Sequence, residues 1–241
     1  MDTLDLSVVI LAHDEARSVP AVLRELRTWL SAHEPDSEIV FVDDGSSDGS
    51  GELADQALAG FAARSVRHDR RCGMGAGLKT GVAAARGEWV TFLPADGQIA
   101  PQAIGTLRQA AAAEKADVVL SAYASRDDGL VRKSLSLGVR TLITLLHGVR
   151  LKSDGPYLFR RALFLPQQLA SDTFFLNFEF PIRALRAGLR VSWVTIECRP
   201  RLHGKSKSAS WQRALEVGSE LVSMRVRLAR DAFRRARGHP P

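Results

Sequence analysis

The sequence predicts an α/β domain with a mostly parallel sheet and helices on both faces of that sheet. Short runs of consecutive apolar residues alternate with longer segments in which apolar residues recur every three or four positions. The first pattern is typical of strands buried on both faces, and the second of helices that cover a parallel sheet. With 241 residues and 45% hydrophobic content, the chain is long enough to bury such a core.

The first half of the chain begins with a predicted β-α-β unit. Residues 6–12 (LSVVILA) and 38–43 (EIVFVD) are apolar runs of strand length, and residues 16–32 between them have helical spacing. Two further apolar runs predict strands at residues 89–93 and 118–122. The stretches between these strands predict helices at residues 50–63, 77–85 and 101–113.

The second half of the chain has longer amphipathic stretches. One begins at Leu135, and a second covers residues 178–187 and stops at Gly188, a residue type that often ends helices. Residues 190–198 predict one more strand, and a basic turn then leads to a terminal helix.

The terminal helix is predicted to be basic and amphipathic. Between residues 211 and 237, apolar residues recur at helical spacing, and arginines occupy many of the remaining positions. Three roles are open for it: covering the core, pairing with another subunit, or lying on an anionic membrane. We predict one domain over residues 1–208 and this helix over residues 209–241, packed on the domain or peripheral.

Composition and charge narrow the classes of function. A net charge of +6 indicates an anionic partner, but the basic residues lack the interleaved aromatics or the reading helix of a nucleic-acid binder. No apolar run reaches the roughly 20 residues that span a bilayer, and the first residues lack the basic start of a signal peptide. Cys72 and Cys198 are far apart and lack metal-type spacing, so we expect reduced thiols and find little support for a disulfide or a zinc site.

Polar residues follow three of the predicted strands. These residues are His13, Asp14 and Glu15, then Asp43 and Asp44, and finally Asp96 and Gln98. Because ligands bind at the carboxyl ends of strands in open α/β sheets, we expect these side chains to form one cluster at that edge. Carboxylates there can accept hydrogen bonds from ribose and base groups, and can hold the cation that neutralises a diphosphate.

Asp43 and Asp44 are the strongest functional candidates in this cluster. Two adjacent acids at the end of an apolar strand repel each other unless they have partners, so a functional role is favoured. For Asp48 a structural role is favoured, because Ser and Asp residues after a strand often cap the next helix.

The segment VDDGSSDGS at residues 42–50 closely resembles the nucleotide-binding signature of family 2 glycosyltransferases. The chain resembles this family over residues 6–208, in the branch that includes dolichol-phosphate mannosyltransferases and related polyprenyl-phosphate sugar transferases. The resemblance implies a GT-A, Rossmann-like fold and a nucleotide-diphosphate sugar donor. It assigns the base and ribose contacts of that donor to Asp43 and Asp44.

Two further matches imply other donor contacts. Residues 11–15 (LAHDE) resemble the end of the family's first strand, and the glycine-rich residues 73–77 resemble its Gly-x-Gly turn. The donor contacts that these matches imply are Ala12, His13, Glu15, Gly75 and Lys79.

The position of the glycine-rich turn disfavours a dehydrogenase. The glycine-rich fingerprint of a dinucleotide-binding protein directly follows the first strand, whereas this turn is at residues 73–77. Close packing by small residues is the competing role for Gly77 and Gly81.

The end of the strand at residues 89–93 resembles the family's metal motif, with one departure. Pro94 stands where the family has the first Asp of Asp-x-Asp, whereas Asp96 and Gln98 match. The resemblance implies that Asp96 and Gln98 bind Mg²⁺ or Mn²⁺ together with diphosphate oxygens, and that Asp96 also contacts the donor. Because the first acid of the motif is missing, the alternative that this site is degenerate and binds no metal is also open.

Basic residues later in the chain resemble the family's acceptor and lid segments. The implied acceptor contacts are Arg126, Arg132 and Ser136. Residues 201–207 (RLHGKSK) resemble a lid whose cations stabilise the charge that develops on the diphosphate. The implied catalytic residues are Asp96, Arg201 and Lys205.

These matches predict a metal-dependent, inverting glycosyltransferase that moves a sugar from a nucleotide-diphosphate donor to a polyprenyl phosphate. A phosphate acceptor is already ionised near neutral pH, whereas an alcohol acceptor needs a base, for which Glu179 and Asp154 are candidates. Two alternatives are open: an enzyme with a soluble small-molecule acceptor, and a catalytically weakened nucleotide-sugar binding protein. We expect a cytoplasmic protein, at the inner face of the membrane if its acceptor is lipid-linked, and a homo-oligomer through the C-terminal helix is also open.

Overall fold

A seven-stranded sheet organises the part of the protein that the structure describes. The computed structural model describes residues 4–124, 130–203 and 211–236. Its strands are β1 (Leu6–Ala12), β2 (Ser37–Asp43), β3 (Ala63–Arg67), β4 (Trp89–Pro94), β5 (Val118–Tyr123), β6 (Tyr157–Arg160) and β7 (Val191–Ile196). Its α-helices are α1 (Val19–His33), α2 (Ser50–Leu58), α3 (Met74–Ala84), α4 (Gln102–Ala113), α5 (Leu130–His147), α6 (Leu176–Arg186) and α7 (Trp211–Ala236).

The sheet is mostly parallel, as predicted. Its strand order is β3-β2-β1-β4-β6-β5-β7. β1 pairs in parallel with β2 and β4, β2 with β3, and β5 with β7, whereas β6 runs antiparallel to β4 and β5. The chain therefore builds outward from β1 in one direction and then crosses to the other side of β1 to form β4.

Both faces of the sheet are buried, which explains the continuous apolar strands. On β1, Val8 and Ile10 lie in the hydrophobic cluster that contains residues of α1, α2 and α4. Val9 lies in the opposite cluster, with residues of α3, α5, α6 and α7. Every residue of β2 is buried. The prediction of helices on both faces is confirmed.

Two strands and several helix boundaries differ from the prediction. The helix predicted at residues 50–63 ends at Leu58, and the chain then forms β3, an edge strand with no fully buried residue. β6 is four residues long and was not predicted, because so short a strand has no alternation to detect. The helix predicted to start at residue 77 begins earlier, at Met74.

Helix α7 packs against α5 and the core through one apolar face. Val217, Leu221 and Met224 are buried in the cluster that also contains Ile143 of α5. Among the described residues, no helix combines the length and the apolar character needed to cross a bilayer.

Candidate active site

The candidate site lies at the carboxyl ends of β2, β1 and β4. β2 and β4 flank β1 on opposite sides, so the winding direction of the sheet changes between β1 and β4. Such a switch point leaves a crevice beyond the strand ends in which α/β proteins bind ligands. The acids predicted to cluster lie at or just after the ends of these three strands and share this edge.

The turns after β1 and β2 are joined by reciprocal hydrogen bonds. Asp14, whose φ of 54° lies in the left-handed region, donates its backbone N–H to Ser46 Oγ at 3.0 Å. The carboxylate of Asp48 accepts the backbone N–H groups of Ala16 at 2.9 Å and Ser50 at 3.1 Å. The N-cap of α2 is Gly49, so Asp48 is not the capping residue that the sequence favoured. Its role is still structural, because its carboxylate joins the turn before α2 to the turn after β1.

Asp44 is held by the glycine-rich turn before α3. Its Oδ1 accepts hydrogen bonds from His68 Nδ1 and the Cys72 backbone N–H, and its Oδ2 accepts the Gly73 backbone N–H, each at 2.8 Å. Burial disfavours the charged form, but these hydrogen bonds outweigh it and hold the pKa of the Asp44 carboxyl below its ordinary value. Asp44 therefore organises the turn that follows β3.

Asp43 is the last residue of β2 and directly precedes Asp44. It is 5% exposed, and its Oδ1 accepts the Ser46 backbone N–H at 2.9 Å. His13, at the end of β1, places its Nδ1 3.0 Å from the backbone oxygen of Asp44. Ala12 is 3% exposed and accepts the Asp44 N–H at 2.9 Å through its backbone oxygen. The predicted donor residues after β1 and β2 are thus brought together.

Arg201 links the acids at the ends of β1 and β4. Its guanidinium lies 3.0 Å from Asp96 Oδ2 and 3.7 Å from Glu15 Oε1. The segment that carries Arg201 is hydrogen-bonded to the turn after β4, where the Leu202 N–H donates to Asp96 O at 3.2 Å. Burial, and then the nearby Asp96 charge, raise the pKa of Glu15 above its ordinary value. One cation therefore faces two carboxylates at the switch point.

Asp96 and Gln98 offer a donor set that fits a hard divalent cation. A carboxylate and an amide oxygen are ligands that Mg²⁺ and Mn²⁺ accept, with diphosphate oxygens and water completing the shell. Arg201 contacts both groups, since its Nε donates to Gln98 Oε1 at 3.2 Å. A cation held between Asp96 and Gln98 would therefore displace the guanidinium from them.

The match to a family model supports the resemblance seen in the motifs. Residues 7–185 match the model described as Glycosyl transferase family 2. The chain belongs to this family. It is 31% identical over 208 residues to an undecaprenyl-phosphate 4-deoxy-4-formamido-L-arabinose transferase of Aeromonas hydrophila, covering 84% of this chain and 62% of that protein. It is 35% identical over 154 residues to the protein of the same description from Salmonella choleraesuis, covering 63% of this chain and 46% of that protein.

Solved structures of glucosyl-3-phosphoglycerate synthase from Mycobacterium tuberculosis have the same fold. Its complex with phosphoglyceric acid superposes with a TM-score of 0.72 at 21% identity, covering 91% of this chain and 79% of that one. A complex with Mn²⁺, UDP-glucose and phosphoglyceric acid superposes with a TM-score of 0.71 at 20% identity, covering 98% and 81%. The predicted GT-A fold is confirmed for this family 2 chain.

The glycine-rich turn contacts the segment before α6. Gly75 is buried, and a Cβ at its position would lie 2.6 Å from the backbone oxygen of Thr173, so this approach requires glycine. Lys79 pairs with Asp172 at 2.8 Å. Gly81 packs on β1, where a Cβ would lie 2.3 Å from Val9 Cγ1. Packing alone explains the glycine at positions 75 and 81.

The predicted acceptor and lid residues are described only in part. Arg126, Lys205 and the side chain of Arg132 lie outside the described residues. Ser136 is half-buried on α5, and one turn later Arg140 pairs with Asp154 at 2.9 Å. Asp154 is therefore partly neutralised.

Glu179, considered as a base or as a surface acid, is buried and hydrogen-bonded. It is fully buried, and it accepts the backbone N–H groups of Ala170 at 3.1 Å and Ser171 at 2.9 Å. Arg183, one turn later on α6, pairs with it at 3.1 Å. The surface-acid interpretation is wrong, and the contacts give Glu179 a structural role.

His68 is a residue of the site that sequence reasoning missed. It directly follows β3, and its Nε2 lies 2.9 Å from Thr80 Oγ1 of α3 while its Nδ1 contacts Asp44. The available signal was its place after a strand at the ligand-binding edge, but β3 itself was not predicted.

Proposed function

We propose that this protein transfers a sugar from a nucleotide-diphosphate donor to a polyprenyl phosphate, with inversion at the anomeric carbon and with Mg²⁺ or Mn²⁺. The observation that carries the proposal is the convergence of Asp43, Asp96 and Arg201 at the switch point of a family 2 fold. The relatives described as undecaprenyl-phosphate sugar transferases support the acceptor class. The structural neighbours in complex with UDP and Mn²⁺ or Mg²⁺ support the donor class and the cation.

Each residue has a distinct role in this proposal. Asp43 accepts hydrogen bonds from the base or ribose of the donor, while Ala12, His13 and Glu15 line the crevice beside it. Asp96 and Gln98 would hold the divalent cation, which would supply positive charge to neutralise the diphosphate. Arg201 leaves these two residues and faces the departing diphosphate, where a fixed cation stabilises developing charge. Lys205 acts with it, and Arg126, Arg132 and Ser136 bind the acceptor phosphate.

No general base is needed for a phosphate acceptor. Its oxygen is ionised near neutral pH and attacks the anomeric carbon, while the nucleoside diphosphate leaves with the electrons of the broken bond. The internal contacts of Glu179 and the pairing of Asp154 are consistent with the absence of a base.

Donor binding is tested by thermal denaturation with a panel of nucleotide-sugars, with and without Mn²⁺. A bound donor raises the melting temperature by mass action, and we expect Asp43→Asn to lose the shift. Asp36→Asn is the matched control, because Asp36 lies before β2, at the opposite end of that strand. If no nucleotide shifts the wild type, the proposed donor class is wrong.

Acceptor choice is tested by sugar transfer to polyprenyl phosphate and to soluble phosphorylated acceptors in parallel. Transfer to the polyprenyl phosphate is expected. Transfer to soluble acceptors alone would support the soluble-acceptor alternative, and donor binding without any transfer would support a nucleotide-sugar binding protein.

We also propose that α7 brings the active site to an anionic membrane. Its outward face carries Leu215, Val222 and Val226, which are 70%, 49% and 43% exposed, and the exposed Arg225 and Arg230 lie on the same helix. Apolar residues flanked by arginines suit the headgroup region of an acidic bilayer, where each cation contributes about 1 kcal/mol. In this arrangement α7 packs on the domain of residues 1–208 through Val217, Leu221 and Met224 and turns its outer face to the membrane.

Co-sedimentation with phosphatidylglycerol vesicles tests this contact. Binding is expected at low salt, with loss at high salt and in the double variant Val222→Gln/Val226→Gln. Leu165→Gln is the control, since Leu165 is 39% exposed and lies outside α5 and α7. A wild type that ignores the vesicles, or that forms a dimer through α7, would contradict the membrane role.

A further inference from the structure

Three side chains with metal-binding atoms meet beside the donor crevice, apart from Asp96 and Gln98. They are Asp44 at the end of β2, His68 after β3, and Cys72 in the turn before α3. A carboxylate oxygen, an imidazole nitrogen and the thiol sulfur of this group lie within 4.8 Å of one another. We propose that Asp44, His68 and Cys72 form a binding site for a borderline-soft divalent ion, with Zn²⁺ as the ion of best fit.

The donor set selects this class of ion. Zn²⁺ binds nitrogen, sulfur and oxygen ligands, and a site with three protein ligands leaves a fourth position for water or a ligand. Mg²⁺ and Mn²⁺ prefer oxygen, so the Asp96–Gln98 pair and the Asp44–His68–Cys72 site differ in the ions they favour.

Neighbouring contacts hold the ligands in position. His68 Nε2 lies 2.9 Å from Thr80 Oγ1, and a metal-bound histidine characteristically uses its second nitrogen in such a hydrogen bond. The backbone N–H groups of Cys72 and Gly73 orient the Asp44 carboxylate. The Asp44 and His68 side chains are 11% and 14% exposed, whereas Cys72 is exposed and leaves a path for the ion.

Binding of the ion to these three residues moves protons but no electrons, so it needs no oxidant. In the metal-free state His68 Nδ1 carries a proton and donates it to Asp44 Oδ1 at 2.8 Å. On binding, that proton moves to Nε2, which then donates to Thr80, and the Nδ1 lone pair binds the ion. The Cys72 thiol, which contacts Arg70 O at 3.2 Å, releases its proton to solvent and binds as a thiolate. One carboxylate and one thiolate then neutralise the two positive charges.

Co²⁺ is the spectroscopic probe for this site. The full chain is titrated with Co²⁺ under a non-chelating reductant and excess Mg²⁺. We expect a thiolate-to-Co²⁺ charge-transfer band in the near ultraviolet that saturates at one ion per chain and disappears when Zn²⁺ is added. Cys72→Ser should abolish the band, and Thr80→Val should weaken binding by about 10-fold or more.

Two variants serve as controls for location. Cys198→Ser removes the other cysteine and should keep the band, and Asp96→Asn should keep it too, so this site is tested independently of the proposed donor chemistry. Because Cys72 is exposed, Cys72→Ser should retain the wild-type circular dichroism and melting temperature. A missing band in the wild type, a band that survives Cys72→Ser, or one that is lost in Cys198→Ser overturns the proposal.

Discussion

The turns after β2 and β4 each carry an acid, but the two acids have different kinds of partner. Each places an acid near the end of an apolar parallel strand at the same edge of the sheet, and both acids are buried. Asp44 accepts three hydrogen bonds from the turn around His68 and Cys72. Asp96 accepts the Gln98 N–H of its own turn through Oδ1. Its Oδ2 pairs with Arg201, which belongs to a distant segment of the chain.

This difference separates an acid held by backbone N–H groups of a single turn from an acid whose main partner is a side chain of a distant segment. The backbone N–H groups of Cys72 and Gly73 can move away from Asp44 only if the turn itself rearranges. The buried carboxylate would then be left without these partners, which costs about 1–3 kcal/mol or more. A guanidinium on a separate segment can move away and leave the Asp96 carboxylate to a ligand. We therefore expect changes at Asp96 to affect turnover and changes at Asp44 to affect stability first.

The largest effect is expected for Asp96→Asn. The amide still accepts the Gln98 N–H, but it removes the charge that holds the cation, so kcat/KM should fall by at least about 100-fold with little change in melting temperature. Steady-state transfer assays with Mn²⁺ and with EDTA measure this. Full activity of the variant, or of the wild type in EDTA, would contradict the assignment of Asp96.

Asp44→Asn should mainly lower the free energy of unfolding. Hydrogen bonds to a charged acceptor contribute about 1.5–3 kcal/mol, so urea denaturation should show a loss of about that size. Asp172→Asn is the control: its carboxylate is 63% exposed and pairs with Lys79, and exposed pairs contribute about 0–1 kcal/mol. Equal losses in the two variants would remove the distinction between Asp44 and an ordinary surface acid.

The same contrast predicts a pH dependence. The folded pKa of Asp44 lies below its unfolded value of about 3.9, so its contribution to stability is fully present above that unfolded value. It is lost as the pH falls through the folded pKa. The difference in unfolding free energy between wild type and Asp44→Asn should therefore be constant near neutral pH and shrink in acid. A difference that grows in acid would contradict this sign.

The smallest effect is expected for Arg201→Gln on metal affinity without nucleotide. Removing the guanidinium frees Asp96 and Gln98, so Mn²⁺ should bind a few-fold more tightly, as measured by the electron paramagnetic resonance signal of free Mn²⁺. Arg199→Gln is the control, since Arg199 is on the same segment but pairs with Glu25 at 2.8 Å. Unchanged Mn²⁺ affinity in Arg201→Gln would show that the guanidinium does not compete with the ion.

Burial of a strand on both faces is visible in the sequence as a continuous apolar run, and the strands with such runs were predicted. β1, β2 and β4 are continuous apolar runs because helices cover both of their faces, and the acids of the site were found because they follow those runs. β3 was missed because it is an edge strand without a buried residue. β6 was missed because its four residues take their place from pairing with β4 and β5, which are distant in sequence.

The sequence by itself determined the fold class, the family and the strand ends at which the acids cluster, since these depend on apolar periodicity and on short motifs. Only the tertiary structure decided which partner each acid has. Arg201 reaches Asp96 through the packing of the segment after β7, and Cys72 meets His68 and Asp44 because the turn before α3 folds over the end of β2. Spacing along the chain cannot encode such contacts, because they join side chains that only the closed fold brings together.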